Sequence, residues 1–413
     1  MKNLSVCLLL AGLGTACFPN AAVATPPVTQ WTVLNFHPQG ADASYGIGGG
    51  PGSFVGSIAR TSVGVLHAAI WNESTGGWID LNPGLPEDRS EAVAVRANQQ
   101  VGFATVGGVR RASLWNGSAA AWIDMHPVEG LSSAALAIDG NQQAGYVELP
   151  TQSPSSNYRA SLWNGSSNWI DLSPAESESS CVYTMYSGRQ GGYAFIGNEY
   201  HACLWSGTSS SWVDLKPTFT PYSIVYNMDS RQQVGVIGAG MYEHASVWSG
   251  SAQSVVDLNP PGVDGSRAQG VLNQTQVGLV YIDDATRASL WRGSAESWID
   301  LHAFLPSAFT SSSAESIWSD GRAIYVLGYG FNSSTRRDEA VLWIGTAACP
   351  CDLNNDGRVD DNDFSTFVDA YNTLDCASPL MPTGCPADFT GDQAVDDSDF
   401  AIFVAGYDAM LCP

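Results

Sequence analysis

Thirteen of the chain's fourteen tryptophans fall on two positions of a repeat about forty-five residues long, and this regularity constrains the fold most. Trp71, Trp115, Trp163, Trp205, Trp248, Trp291 and Trp343 each close a short apolar run: HAAIW, RASLW, RASLW, HACLW, HASVW, RASLW and EAVLW. Six or seven residues later comes a second run, WIDL at 78, WIDM at 122, WIDL at 169, WVDL at 212, VVDL at 255 and WIDL at 298. Gly/Ser/Asn turns such as NGSAAA and SGTSSS separate the two. Before each pair stands a longer element, EAVAVRANQQVGFATV at 91 with counterparts at 133, 181, 223 and 267 and weaker versions near Tyr45 and Glu315. Two apolar runs around a polar turn are a hairpin signal. Each repeat therefore holds four short strands, which indicates the blade of a β-propeller.

The count bears on closure. Seven LW-type strands are followed by only six WIDL-type strands, because Trp343 runs on into TAACPC. Trp31-Thr32-Val33-Leu34-Asn35 resembles WIDL, so a strand from the N-terminus is expected to complete the last blade and leave no open edge. The predicted fold is an all-β seven-bladed β-propeller over 25–346, closed by that strand. A large flat indole fills the wedge between neighbouring blades, and burying one contributes roughly 4–6 kcal/mol before entropy is subtracted.

The Asp after each W-(I/V) or V-V (Asp80, Asp124, Asp171, Asp214, Asp257 and Asp300) reads as a strand-end hydrogen-bonder rather than a catalyst, because it recurs in six blades. The same holds for His67, Arg111, Arg159, His201, His244 and Arg287, one residue class at one repeat position. The strands HAAIW, HACLW and HASVW resemble the bacterial extracellular His-Ala-Phe type repeats, with the aromatic replaced. That resemblance implies a secreted propeller and no particular activity.

Charge divides the chain. Lys and Arg number 17 against 40 Asp and Glu, a net of −23 that excludes a nucleic-acid surface, since phosphate contact needs clustered cations. Residues 349–413 hold thirteen Asp and one cation, Arg358, which marks a separate module at 347–413. At the other end, Lys2, the apolar run that follows and Ala22-Val23-Ala24 read as a secretory signal over 1–24. No later segment reaches the ~18 apolar residues of a membrane helix. The expected location is extracellular or at a bacterial cell surface, without a transmembrane anchor.

The acidic tail is duplicated with an offset of 36: Cys349-Pro350 recurs as Cys385-Pro386, Asp352 as Asp388, and Cys376 as Cys412. Its first copy, DLNNDGRVDDND, has the order of a twelve-residue calcium loop. Asp352, Asn354 and Asp356 take positions one, three and five, and Gly357 the turn at six. Arg358 offers its carbonyl at seven, Asp360 serves nine and Asp363 twelve. The second copy, DFTGDQAVDDSD, places Asp388, Thr390, Asp392, the Ala394 carbonyl, Asp396 and Asp399 at the equivalent positions. Gln393 replaces glycine at six, costing on the order of 1–2 kcal/mol if it turns left-handed, so two Ca²⁺ sites are expected with the second weaker. Without metal the clustered carboxylates repel, and the segment is expected to fold poorly.

Apolar residues after each loop fall at helical spacing, Phe364/Phe367/Val368/Tyr371 and Phe400/Phe403/Val404/Tyr407. The arrangement resembles dockerin, the paired calcium-loop module, with Asp rather than Glu at position twelve and one helix per loop. That resemblance implies a small α-helical domain docking onto a cohesin-like or cell-surface partner. The chain departs from the cellulosomal pattern in its Cys-Pro pairs, its terminal Cys, and Asp361-Asn362 and Asp397-Ser398 at the recognition positions. The duplication suggests disulfides Cys349–Cys376 and Cys385–Cys412, with Cys351 an alternative to Cys349. Cys181 and Cys203, on the first and third strands of one blade, are expected to be buried thiols.

For function, the residues favour a non-catalytic binding protein whose propeller takes a glycan or protein. The second reading is a polysaccharide-acting glycoside hydrolase with off-repeat acids at the channel mouth, for which Asp283, Asp284, Glu243 and Glu199 are candidates.

Overall fold

A computed structural model describes residues 28–409 apart from 61–63, 152–156, 321–322, 348–350, 355–358, 379, 382–384, 386 and 391–392. The signal segment expected at 1–24 lies outside the described residues, as do Asp356, Gly357, Arg358, Asp392, Cys349 and Cys412.

Seven four-stranded antiparallel sheets follow one another along the chain. The third blade is representative: an inner strand Ser132–Asp139, then Gln142–Leu149, Asn157–Trp163 and a short outer strand Trp169–Asp171. In the seventh blade the outer strand is Val28–Asn35, paired antiparallel with Arg337–Ala347 so that Val33 faces Trp343. The ring is thus closed by strands from both ends of the repeat region. Each of the seven LW tryptophans is at most 1% exposed. Trp205 shows the wedge at work: it belongs to the fourth blade and shares a core with Leu162 and Leu172 of the third.

The repeated polar residues meet one another. Each strand-end aspartate pairs through Oδ2 with the His or Arg on the neighbouring third strand, at 2.7–3.1 Å in six blades. Its Oδ1 accepts the backbone N–H two residues on, at 2.8–3.0 Å. This is the local turn chemistry of Asx residues, and it fixes the outer strand's end. In the closing blade the polarity reverses: the Asn35 amide donates to Glu339 at 2.7 Å, and Asn35 Oδ1 accepts the His37 N–H at 2.8 Å.

A serine on each inner strand carries the contact between blades. Ser90, Ser133, Ser180, Ser223, Ser266 and Ser312 accept the N–H of the LW-strand alanine in the preceding blade at 2.8–3.0 Å. Ser44 of the first blade accepts from Ala340 of the seventh at 2.9 Å, so this belt also closes on itself.

Each inner strand also carries a β-bulge that leaves one residue unpaired. Opposite it the second strand has glycine. At Gly145 an added Cβ would stand 2.0 Å from the Ala134 carbonyl oxygen, and the other six blades repeat the close approach.

The C-terminal segment has two helices, α1 (Asp361–Thr373) and α2 (Asp397–Ala409). Phe367 and Phe403 stack at 4.8 Å and are 1% exposed. They share a core with Cys351, Val359, Ala370, Ala387 and Val395. Phe364 and Phe400, expected on the same buried faces, remain exposed at the edge of the helix pair. The Tyr371 hydroxyl donates to Asp397 and the Tyr407 hydroxyl to Asp361, tying each helix's end to the other's start.

The cysteines correct one expectation. Cys376 is bonded to Cys385, nine residues on, rather than each to the partner the duplication suggested. The bond joins the end of the first loop–helix unit to the start of the second, where the chain brings the two Cα atoms to 5.4 Å. Cys181, Cys203 and Cys351 are free and buried.

Candidate functional site

Two places hold chemistry that scaffolding does not exhaust. In the C-terminal segment both loops are organised by their last aspartate. Asp363 Oδ1 accepts the N–H of Leu353 and Asn354 at 2.7 and 3.0 Å, and its Oδ2 accepts that of Asp360 at 2.9 Å. Asp399 repeats the pattern with Phe389 and Thr390 at 2.7 and 2.9 Å and with Asp396 at 3.0 Å. Both side chains are fully buried. Burial acts to raise the Asp399 carboxyl, but hydrogen bonds from Asp396, Thr390 and Phe389 outweigh it and hold the group below the ordinary aspartate value.

Asp360 and Asp396 cap the helices, each accepting through Oδ1 the N–H two residues on at 2.8 Å. Gln393 has φ 71°, the left-handed conformation expected where glycine is missing. Asp352, Asn354, Asp388, Thr390 and Ala394 stand in the same two loops, whereas Asp356, Arg358 and Asp392 are beyond the described residues.

The second place is the propeller axis. A cavity of about 510 Å³ is lined by inner-strand residues of all seven blades. On every inner strand the first lining residue is the unpaired residue of the bulge, so the seven bulges form the cavity floor. The strands run from there towards their hairpin turns, where Arg96 and Tyr186 mark an open mouth. Blades one to three contribute Ile47, Val93 and Leu136 to the floor, and blades four to seven Tyr183, Tyr226, Gln269 and Glu315. One half is apolar and the other polar.

Glu315 has protein packed around it on all sides, yet solvent reaches it through the cavity. Its Oε1 accepts the Ser313 hydroxyl at 2.5 Å, and Gln269 donates to Ser313 at 3.2 Å. Burial raises its carboxyl above the usual range, against the opposing hydrogen bonds of Ser313 and Gln269 and the charge of Arg267. Burial also pushes the Tyr226 phenol up to about 12.

The off-repeat acids singled out by sequence do not converge here. Glu243 binds Arg267 through Nε at 2.8 Å, and Glu199 pairs with Lys216 at 3.0 Å. Asp283 and Asp284 both have positive φ (49° and 63°), in the tight turn between the strands Thr275–Ile282 and Ala285–Trp291. The acid that does line the axis, Glu315, begins one of the two weaker matches to the hairpin repeat, which hides its position from the sequence. Aligning the inner strands places it against Val93 and Leu136, and that was the available signal.

No family model and no curated protein matches the chain. Solved structures match it in fold. The β-propeller domain of the Trilobed protease from Pyrococcus furiosus, described as having an open velcro topology, gives a TM-score of 0.50 at 9% identity, covering 73% of this chain and 94% of that one. An oligogalacturonate lyase in complex with manganese gives 0.49 at 8%, covering 79% and 99%. A Mycobacterium tuberculosis puromycin-hydrolyzing peptidase gives 0.45 at 15%, covering 69% of this chain and 49% of its own, so the chain spans about half that peptidase.

These likenesses correct the functional expectation. The ring matched at a TM-score of 0.50 is the propeller domain of a protease, so a ring of this kind gives no ground for a non-catalytic assignment, and glycoside hydrolysis gains no support from it. The physical reason is that the repeated indoles, serines and aspartates build the scaffold, whereas chemistry belongs to the few residues that break the repeat.

Proposed function

We propose that the chain is a secreted bacterial protein whose residues 347–413 form a calcium-organised, dockerin-like docking module that attaches the propeller of residues 25–346 to a cohesin-like or cell-surface partner. The observation that carries this reading is the duplicated aspartate at position twelve, fully buried in both loops. A buried carboxylate is costly unless its charge is met. Three backbone N–H groups meet part of it, two on Oδ1 and one on Oδ2, so Oδ2 keeps a second lone pair for a cation.

The donors at the other positions are all hard oxygens, which suit Ca²⁺. Asp352, Asn354, Asp356, the Arg358 carbonyl, Asp360 and Asp363 would hold one ion. Asp388, Thr390, Asp392, the Ala394 carbonyl, Asp396 and Asp399 would hold the other. The ion supplies the positive charge that lets these carboxylates converge. Positive φ at Gln393 costs the second loop on the order of 1 kcal/mol, which weakens its site.

Calcium titration of the full chain by calorimetry tests this. Two binding events of unequal affinity are expected, together with partner capture that a chelator abolishes. Absence of calcium binding overturns the proposal, and two equal sites refute the ranking.

A further inference from the structure

We infer that the axial cavity binds a small amphipathic amine, with its ammonium group on Glu315 and its apolar body against Ile47, Val93 and Leu136. This does not depend on the calcium reading, because none of the calcium loop residues lines the cavity.

The two kinds of floor residue are segregated, three apolar ones on consecutive blades and four polar ones on the next four. A ligand filling the floor must therefore be two-sided. The volume, about 510 Å³, lies in the range of small-molecule sites. Charge then chooses the polar end. Among the described residues no cationic side chain pairs with Glu315. Arg96 at the mouth is held by Asp139 at 2.9 Å, and Arg267 is committed to Glu243 at 2.8 Å.

An anion would meet the Glu315 carboxylate at close range, and the nearby Arg267 guanidinium is already neutralised by Glu243 at 2.8 Å. A sugar would press hydroxyls against Ile47, Val93 and Leu136 and leave them without hydrogen-bond partners. An ammonium group instead brings the missing positive charge. The ring of Tyr183, its centroid 5.5 Å from that of Tyr226, offers a π-face beside it, while Tyr226 carries the Arg267 guanidinium at 5.4 Å.

The test uses the full chain and three probes in calorimetric titration: phenethylamine, its uncharged isostere 2-phenylethanol, and phenylacetate. Saturable binding of the amine at one site per chain is expected, with the alcohol about ten-fold weaker or more and the carboxylate silent. In Glu315→Gln, which preserves shape and removes charge, the amine should fall to the level of the alcohol. Leu136→Trp, which fills the apolar half, should weaken both. Failure of the amine to saturate the native chain overturns the proposal without recourse to any variant. Equal affinity for amine and alcohol, or unchanged amine affinity in a folded Glu315→Gln protein, overturns it too.

Discussion

In the propeller each blade is locked to its neighbour by a buried indole and a serine. In the C-terminal segment each loop is locked around a buried aspartate. Trp205 and Asp363 are both fully buried, yet they stabilise for different reasons. The indole gains from leaving water against a fitting wall of Leu162 and Leu172, a gain that outweighs the cost of its buried Nε1–H, which has no hydrogen-bond partner among the described residues. The carboxylate loses its hydration and recovers it only through three backbone N–H groups and whatever cation the loop collects. Apolar locks make a ring indifferent to ions, whereas polar locks make a module whose order depends on its solution.

The comparison can be broken most forcefully at the indole. Trp205→Ala should cost roughly 3–5 kcal/mol, lowering the ring's unfolding midpoint in denaturant while leaving the helices' response to calcium unchanged. Asp363→Ala is the reciprocal experiment. It strands three backbone donors and should cost about 3 kcal/mol within the C-terminal segment, seen as lost helical circular dichroism with the tryptophan signal intact. If either substitution melts both regions together, the two locks are not separate.

Smaller effects sharpen the account of the ring. Ser133→Ala removes the acceptor of the Ala112 N–H and should cost about 1–2 kcal/mol in chemical denaturation. The same serines give a pH signature. Ser44, Ser133 and Ser312 each lie 2.7–2.8 Å from Nδ1 of His37, His126 and His302. These contacts suit the neutral imidazole: the serine, which already accepts an N–H, can give its own proton to an unprotonated Nδ1, and Nε2 of His37 faces the Ala41 carbonyl oxygen at 3.1 Å, where the ring proton fits.

Burial holds all three imidazoles below the ordinary value of 6.5. Unfolded histidines take up protons first as pH falls, so this contribution is complete above pH 6.5 and is lost as pH drops towards the folded values. Unfolding curves at pH 7.5 and 5 should differ in that direction, and replacing the three by Asn, which Asn82 and Asn259 show to fit the position, should shrink the difference.

What the sequence reveals depends on how each residue acts. The tryptophans were legible because an indole has few uses but burial, and a repeat of burial is a repeat of architecture. The strand-end aspartates and the His/Arg set were legible as scaffold, although not as each other's partners, because pairing requires the register of the third and fourth strands. The serine belt was not legible. A serine before an apolar run has many ordinary explanations, and only the neighbouring blade supplies the alanine N–H it accepts.

The cavity floor was hidden for a related reason. It consists of one unpaired bulge residue from each blade, where the side chains differ from blade to blade and no repeat signal exists. In the C-terminal segment the left-handed turn at Gln393 followed from the missing glycine. The Cys376–Cys385 bond did not follow from the duplication, because it joins the two copies instead of repeating within each.

The most direct test is thermal unfolding of the intact chain followed at once by far-ultraviolet and tryptophan signals, with calcium and then with excess chelator. Chelation is expected to abolish the helical transition and calcium to restore it, while the tryptophan transition stays where it was. Helices that survive chelation unchanged, or a ring that melts with them, would contradict the account.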